Sequence, residues 1–409
     1  MNKPRIFINF HYMELGGAER ALLGLLNAID VNKVDVDLFL NQHTGAFMPL
    51  IPSKINLLPE IPEYSAIERP MITILKEGHW RILWGRIKGR LKHKRYLHKF
   101  GKNRDGSASQ YAFDGVTPFL PSLKYLGHYD MAISFLDPPH IVQDKVDASI
   151  RMEWIHTDWS TVDVNEKLVA PRWGRNDYIV SISEAVTKQF LKRFPQFEDK
   201  IIEIHNILSP AFVRSQAAVE DVPSEINPEG LTLCSVGRIA YLKNFDNIPY
   251  MAKILVEKGL KFHWYIVGPG NHELIDKTIM ANGVNHCVHF VGPKSNPYPW
   301  MKACDIYVQP SRFEGHSVTV REAQMIGKPV IITNYPTANS QIQDGIDGII
   351  CGMDNENIAD AIIALSNDKQ KQSDIVSYIS SHDYGNEDEV VKIYKLLNLD
   401  SWNSRLLIR

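Results

Sequence analysis

The sequence predicts an α/β protein made of two Rossmann-like domains, each built on a parallel sheet. Two observations carry that expectation. The chain opens with a β–loop–α–β unit, the repeating piece of a parallel sheet: an apolar strand at Ile6–Phe10, a loop holding Gly16 and Gly17, a helix over Glu19–Ile29 and a second strand at Val34–Leu40. The same rhythm restarts after residue 230, and 409 residues suit two domains at roughly 100–200 residues each.

Along the first half, short apolar runs at Met131–Phe135, Met152–His156 and Tyr178–Ser181 predict further strands. The helix after the last of these is well marked, with Ser183 as cap, Glu184 in its first turn and Pro195 beyond its end. Ser209–Gly230 holds Pro210, Pro223, Pro228 and the acidic pair Glu220-Asp221 with little periodicity, so 207–230 is expected to be an interdomain linker. The second half then reads as strand Leu231–Val236, a Gly237-Arg238 turn, a helix to about Lys258, strand Phe262–Val267 and a Gly268-Pro-Gly270 turn. Strands at His289–Val291, Asp305–Gln309 and Pro329–Thr333 follow, with a helix near Val318–Ile326 before the last. The expected division is 1–206, 207–230, 231–383 and a helical tail, 384–409, that folds back on the first domain.

Composition narrows the class. A net charge of -2 gives no global pull toward nucleic acid or membrane, so a basic partner surface has to be local. Cys234, Cys287, Cys304 and Cys351 are scattered, without C-x-x-C pairs or zinc spacing, as expected of reduced, buried thiols. Neither a signal peptide nor an apolar run of the ~18 residues needed for a span is evident, so a cytoplasmic protein is expected, bound to a membrane at most from its surface.

The strongest chemical signal is Ser311-Arg-Phe-Glu-Gly-His-Ser-Val-Thr-Val-Arg-Glu322. Glu314 falls in the loop after a strand and Glu322 inside the next helix; eight residues is slightly over two turns, so both can face one cleft. Carboxylates suit sugars because each accepts from more than one hydroxyl. Gly315 lets backbone approach a ligand, and the helix start offers N–H groups to phosphate. In Ser235-Val-Gly-Arg-Ile-Ala-Tyr-Leu-Lys-Asn244, Arg238 and Lys243 stand in the turn after a strand. A guanidinium and an ammonium placed there can neutralise a pyrophosphate without a metal. No D-x-D pair of the kind that holds a divalent metal beside a diphosphate stands in either stretch.

Gly16-Gly-Ala-Glu-Arg20, the Gly237-Arg238 and Lys243 set, Glu314 through Glu322 and Gly327-Lys-Pro-Val330 together resemble family 4 of the glycosyltransferases over essentially the whole chain. Thr319-Val-Arg-Glu-Ala-Gln324 and Asn334-Tyr-Pro-Thr-Ala338 are similar to members that build capsule, O-antigen or exopolysaccharide repeats. The resemblance implies the GT-B fold, two Rossmann-like domains with sheets facing across a cleft. It also implies a retaining, metal-independent transfer of a hexose-type sugar from a nucleotide sugar, UDP-linked, to a lipid-linked or oligosaccharide acceptor. Gly16 and Gly17 would face donor phosphate and acceptor. Arg238 and Lys243 would hold the diphosphate, with Gly237 and Gly268 in the donor-side turns. Glu314 would contact the donor sugar, Gly315, His316, Ser317 and Val318 would lie near sugar and phosphate, and Glu322 would bind the ribose. His156, in Trp154-Ile-His-Thr-Asp158, matches the family's cleft histidine. His316 departs from the aromatic or aliphatic residue many members carry, so donor identity does not carry over. The alternative of the same architecture is a nucleotide-sugar 2-epimerase. A dinucleotide oxidoreductase is disfavoured because G-x-G-x-x-G is missing after the first strand.

One segment stands outside that pattern. Between 75 and 104, Arg81, Arg86, Lys88, Arg90, Lys92, Lys94 and Arg95 face only Glu77, and Trp80, Leu83, Trp84, Ile87 and Leu91 recur at three- and four-residue steps. That is the pattern of a helix lying on an anionic inner-leaflet surface; a helix packed on its own domain is the plain alternative, and a nucleic-acid arm, which would look similar, ranks last, so no nucleic-acid partner is expected.

Overall fold

A computed structural model describes residues 3–399 except 15, 104, 157–158, 160–161, 220–222 and 316. The chain divides into two compact units: residues up to Ile207 together with those from Glu387 on, and Leu208–Asn386.

The first unit is a seven-stranded parallel sheet. Its elements include β1 Arg5–Phe10, α1 Gly17–Ala28, β2 Asp35–Leu40, β3 Asn56–Leu57, α2 Met71–Lys76, α3 Trp80–Lys99, α4 Ala108–Val116, β4 Tyr129–Ser134, β5 Ala148–Ile155, β6 Tyr178–Ser181, α5 Glu184–Arg193 and β7 Ile201–Glu203. The order β3-β2-β1-β4-β5-β6-β7 reverses direction between β1 and β4, the switch point at which such sheets bind ligands. Ser183 caps α5, its hydroxyl accepting from the Val186 N–H.

The second unit repeats the plan with α6 Pro210–Ala218, β8 Leu231–Val236, α7 Ile248–Glu257, β9 Phe262–Val267, β10 Val288–Gly292, α8 Tyr298–Ala303, β11 Ile306–Gln309, α9 Val318–Met325, β12 Val330–Thr333, α10 Ala338–Gln341 and β13 Ile349–Cys351. Its strand order is β10-β9-β8-β11-β12-β13, all parallel, with the switch point between β8 and β11. Both faces of this sheet are buried: Leu233 joins one apolar cluster, while Cys234 and Val236 join the other. All four cysteines are free and buried.

One expectation needs revision. The stretch read as linker contains α6, capped by the Ser209 hydroxyl and begun by Pro210, with Val213 and Ala217 buried in the second unit's core. A proline at the first helical position starts a helix rather than breaking one. The tail's helix, α11 Val390–Leu396, belongs to the first unit, where the Tyr394 hydroxyl accepts from the Asp30 N–H; what was expected of residues 400–409 lies outside the described residues. No helix among the described residues is long and apolar enough to cross a membrane.

Candidate active site

In the second unit the two sequence motifs meet at the switch point. Gly237 and Arg238 follow β8, and Ser311 to Glu314 follow β11, the neighbouring strand. Gly268, after β9, has φ +146°, and a Cβ there would lie 2.0 Å from the Gly237 carbonyl oxygen. Only glycine permits that approach, which keeps the strand ends open above the turns. Lys243 Nζ donates to both oxygens of Glu314, at 2.6 and 2.8 Å. The Glu314 carboxylate also accepts from Gln309 Nε2 at 3.0 Å and Ser311 Oγ at 2.7 Å. A carboxylate this buried is tolerable only when so paired. Arg238, by contrast, is exposed and forms no ion pair among the described residues. The sequence placed both cations on an incoming diphosphate; in this structure Lys243 is already committed to Glu314 and only Arg238 is available.

Glu322, in α9, is buried, and its Oε1 accepts from the Tyr298 hydroxyl at 2.7 Å. At the start of α9, Ser317 makes no side-chain cap, so the N–H groups of the first turn are left for another acceptor. The Ser317 N–H is not among them. It donates to Gln341 Oε1 at 3.1 Å, while Gln341 Nε2 donates back to the Ser317 carbonyl at 2.6 Å. The expectation that Ser317 offers backbone to phosphate therefore narrows to its hydroxyl and to Val318. Gly315 has open space where a Cβ would stand. His316 lies outside the described residues.

The first unit holds the remaining candidates at its own strand ends. Gly16 precedes α1 without a side-chain cap, and a Cβ on it would lie 2.1 Å from Glu19 Oε2, so the Glu19 carboxylate rests on this helix start. Gly17 is unobstructed. An anion already occupies the place where a donor phosphate was expected. His156 follows β5, its ring 4.8 Å from that of Phe135. Burial pushes its pKa down to about 4 against a hydrogen bond to the Phe135 backbone. The neutral ring keeps a buried Nε2 with no hydrogen-bond partner among the described residues, an unusual state for a polar atom and one a ligand hydroxyl would relieve.

Several contributors were not legible in the sequence. Gln309, Ser311 and Thr337, whose hydroxyl donates to the Glu314 carbonyl, hold the Glu314 loop; Gln341 and Tyr335 hold Ser317. His11, at the end of β1, is bonded to Glu68 and to the Asp137 backbone, and these raise its pKa against burial, the largest influence. Neutral amides and hydroxyls at irregular spacing carry no signal. The group of three or more His, Cys, Asp or Glu that a bound metal needs does not occur among the described residues.

Comparison with known proteins fits this geometry. Residues 218–382 match the family model "Glycosyl transferases group 1". An uncharacterised glycosyltransferase of Methanocaldococcus jannaschii, MJ1069, is 29% identical over 179 residues, 42% of this chain and 45% of that one. The O-antigen biosynthesis glycosyltransferase WclY of Escherichia coli is 33% identical over 102 residues (24% and 28%), and the amylovoran biosynthesis glycosyltransferase AmsK of Erwinia amylovora 27% over 159 (36% and 38%). Each alignment spans less than half of the relative's length. Among solved structures, Anabaena Alr3699/HepE in complex with UDP and glucose superposes with TM-score 0.63 at 14% identity, covering 97% of this chain and 100% of that one. WaaG, a glycosyltransferase involved in lipopolysaccharide biosynthesis, gives 0.62 at 13% (95% and 99%). These likenesses do not favour the epimerase alternative. Residues 218–382 are a group 1 glycosyltransferase domain, within a chain of two Rossmann-like units of GT-B type.

Proposed function

We propose that the protein is a retaining, metal-independent glycosyltransferase of family 4. It moves a hexose-type sugar from a UDP-linked donor to a lipid-linked saccharide during bacterial surface polysaccharide synthesis, at the cytoplasmic face of the membrane. The observation that carries this reading is the Lys243–Glu314 pair at the β8/β11 switch point, with Arg238 beside it forming no ion pair among the described residues. Arg238 meets the diphosphate first. As the donor's sugar hydroxyls reach Glu314, Lys243 is released toward the departing phosphate, so charge develops where cations are already placed. The uncapped start of α9 adds N–H groups to the same phosphate. Glu322 takes the ribose hydroxyls beside Tyr298. Glu19 over Gly16 favours an uncharged saccharide, the acceptor, at the first unit's loop, with His156 Nε2, which has no partner among the described residues, accepting from a sugar hydroxyl.

The relatives support the substrate class: WclY and AmsK are named for O-antigen and amylovoran synthesis, and HepE was solved with UDP and glucose. The test is to incubate the enzyme with separate nucleotide sugars, with and without a lipid-linked saccharide acceptor. Release of nucleotide from a UDP-sugar that depends on acceptor, with the product's anomeric configuration matching the donor's by NMR, is the expected result. Interconversion of the donor without acceptor consumption would instead establish an epimerase.

A further inference from the structure

The basic helix α3 does not pack on its domain through its tryptophans. Its inner face is Ile82, Gly85 and Gly89. A Cβ at Gly85 would lie 2.6 Å from the Gly115 carbonyl oxygen, one at Gly89 2.3 Å from that of Tyr111, and one at Gly115 of α4 2.1 Å from that of Gly85. The two helices therefore touch backbone to backbone. At 100° per residue, the direction opposite Gly89 is that of Trp80, Trp84 and Leu91. These side chains are 64%, 60% and 49% exposed, and on the preceding helix Ile72 is 66% and Leu75 41% exposed. The same geometry puts Arg81, Lys88, Lys92, Arg95 and Lys99 along one flank of the stripe and Arg86, Arg90 and Lys94 along the other. The helix has no acidic residue, and none of these cations forms an ion pair among the described residues; the half-buried Arg86 donates to the Arg69 carbonyl and Arg90 to Met71 Sδ.

We infer that the outer face of α3, with Ile72 and Leu75 of α2, is a preformed anchor for an anionic lipid surface. It lies in the membrane plane with the Trp80 end seated deeper, and it is helical before lipid arrives. Charge complementarity selects the occupant: an apolar stripe flanked on both sides by cations fits apolar chains beneath negative headgroups. The glycine contact fixes the helix first, so docking exposes nothing and refolds nothing. The inference deepens the proposed lipid-linked acceptor by naming the surface that brings the enzyme to it, yet its test requires no turnover, so either can fail alone.

The full chain is mixed with vesicles of phosphatidylcholine alone or in equimolar mixture with phosphatidylglycerol, and binding is read by sedimentation and tryptophan emission. Binding to the anionic vesicles only, its loss at about 0.5 M salt, where screening is nearly complete, and stronger quenching at Trp80 than at Trp84 by brominated lipid are expected. The pair Trp80→Ser with Trp84→Ser, and separately Lys88→Glu with Lys92→Glu, should each weaken binding at least tenfold with thermal unfolding unchanged. Helical content measured by circular dichroism should not rise on binding. Failure to bind anionic vesicles at low salt, binding indifferent to the tryptophan pair, or a gain of helix on binding overturns the inference. So does preferential capture of an RNA or DNA oligonucleotide, or a dimer that the tryptophan substitutions dissolve.

Discussion

Glu314 and Lys243 are unequal partners, and removing each in turn should show it. Their contact is 2.6 Å, with 29% of the lysine side chain exposed and 9% of the glutamate. Glu314→Gln leaves an ammonium that water can still reach, so its cost sits near the lower end for a charged hydrogen bond, about 1.5 kcal/mol. Lys243→Met leaves a carboxylate that Gln309 and Ser311 alone must satisfy, nearer to about 3 kcal/mol. At roughly 2–4 °C per kcal/mol for a unit of this size, the midpoints of the second unit's transition should fall by about 3–6 °C and about 6–12 °C respectively. The double variant should be more stable than Lys243→Met alone, because removing the second charge relieves the first loss, with a coupling of about 1–2 kcal/mol. Thermal unfolding followed by circular dichroism completes the cycle. Additive losses, or a costlier Glu314→Gln, would refute the view that this pair is a buried carboxylate held by a partly hydrated cation.

Further outcomes follow from the same geometry. On the proposed reading, in which its side chain holds ligand rather than protein, Arg238→Ala should lower turnover by about 10²-fold or more with unchanged unfolding; a matching loss of stability would show a structural role. On the same proposed reading, in which cations of the chain neutralise the diphosphate, activity should survive EDTA; loss restored by magnesium or manganese would overturn metal independence. Glu153 is fully buried beside Asp137 and accepts from Asn176, and burial, then the Asp137 charge, holds its pKa well above the carboxylate value of 4.5. A raised folded pKa means this group's contribution is complete below about 4.5 and is lost as pH climbs toward the folded value. Glu153→Gln should therefore flatten the fall of the first unit's stability between acid and alkaline pH. Identical slopes in melts across that range would dismiss the protonated carboxyl.

The sheets were readable because apolar runs such as Phe262–Val267 and Tyr178–Ser181 are short, buried on both faces and bounded by glycine or serine. Helix α6 was missed because three prolines and an acidic pair dominated 207–230, and Pro210 was counted as a breaker although Ser209 before it makes it a start. Of the site, Glu314, Lys243 and Arg238 were visible as charged residues at strand ends. Their pairing was not, since Lys243 and Glu314 are brought together across 71 residues by two adjacent strands. Ser317's grip by Gln341 was equally hidden, and it removed a backbone donor that the sequence had assigned to phosphate. The inner face of α3 shows the limit most clearly: Gly85 and Gly89 lower intrinsic helix preference, and only the partner helix makes them favourable.

That glycine contact also separates two kinds of mutational tolerance on one helix. Any side chain at position 85 or 89 drives an atom to within 2.3–2.6 Å of a carbonyl oxygen on α4, so even alanine must pry the helices apart. The tryptophans, the largest residues present, touch solvent and add little to folding. A saturation scan scored by folded yield should find the smallest residues of α3 irreplaceable and the largest interchangeable. Scored by growth or surface-polymer output, the ranking of the tryptophans should invert. Divergent homologues would then keep the glycine spacing while their exposed stripes drift with the lipid composition of each host.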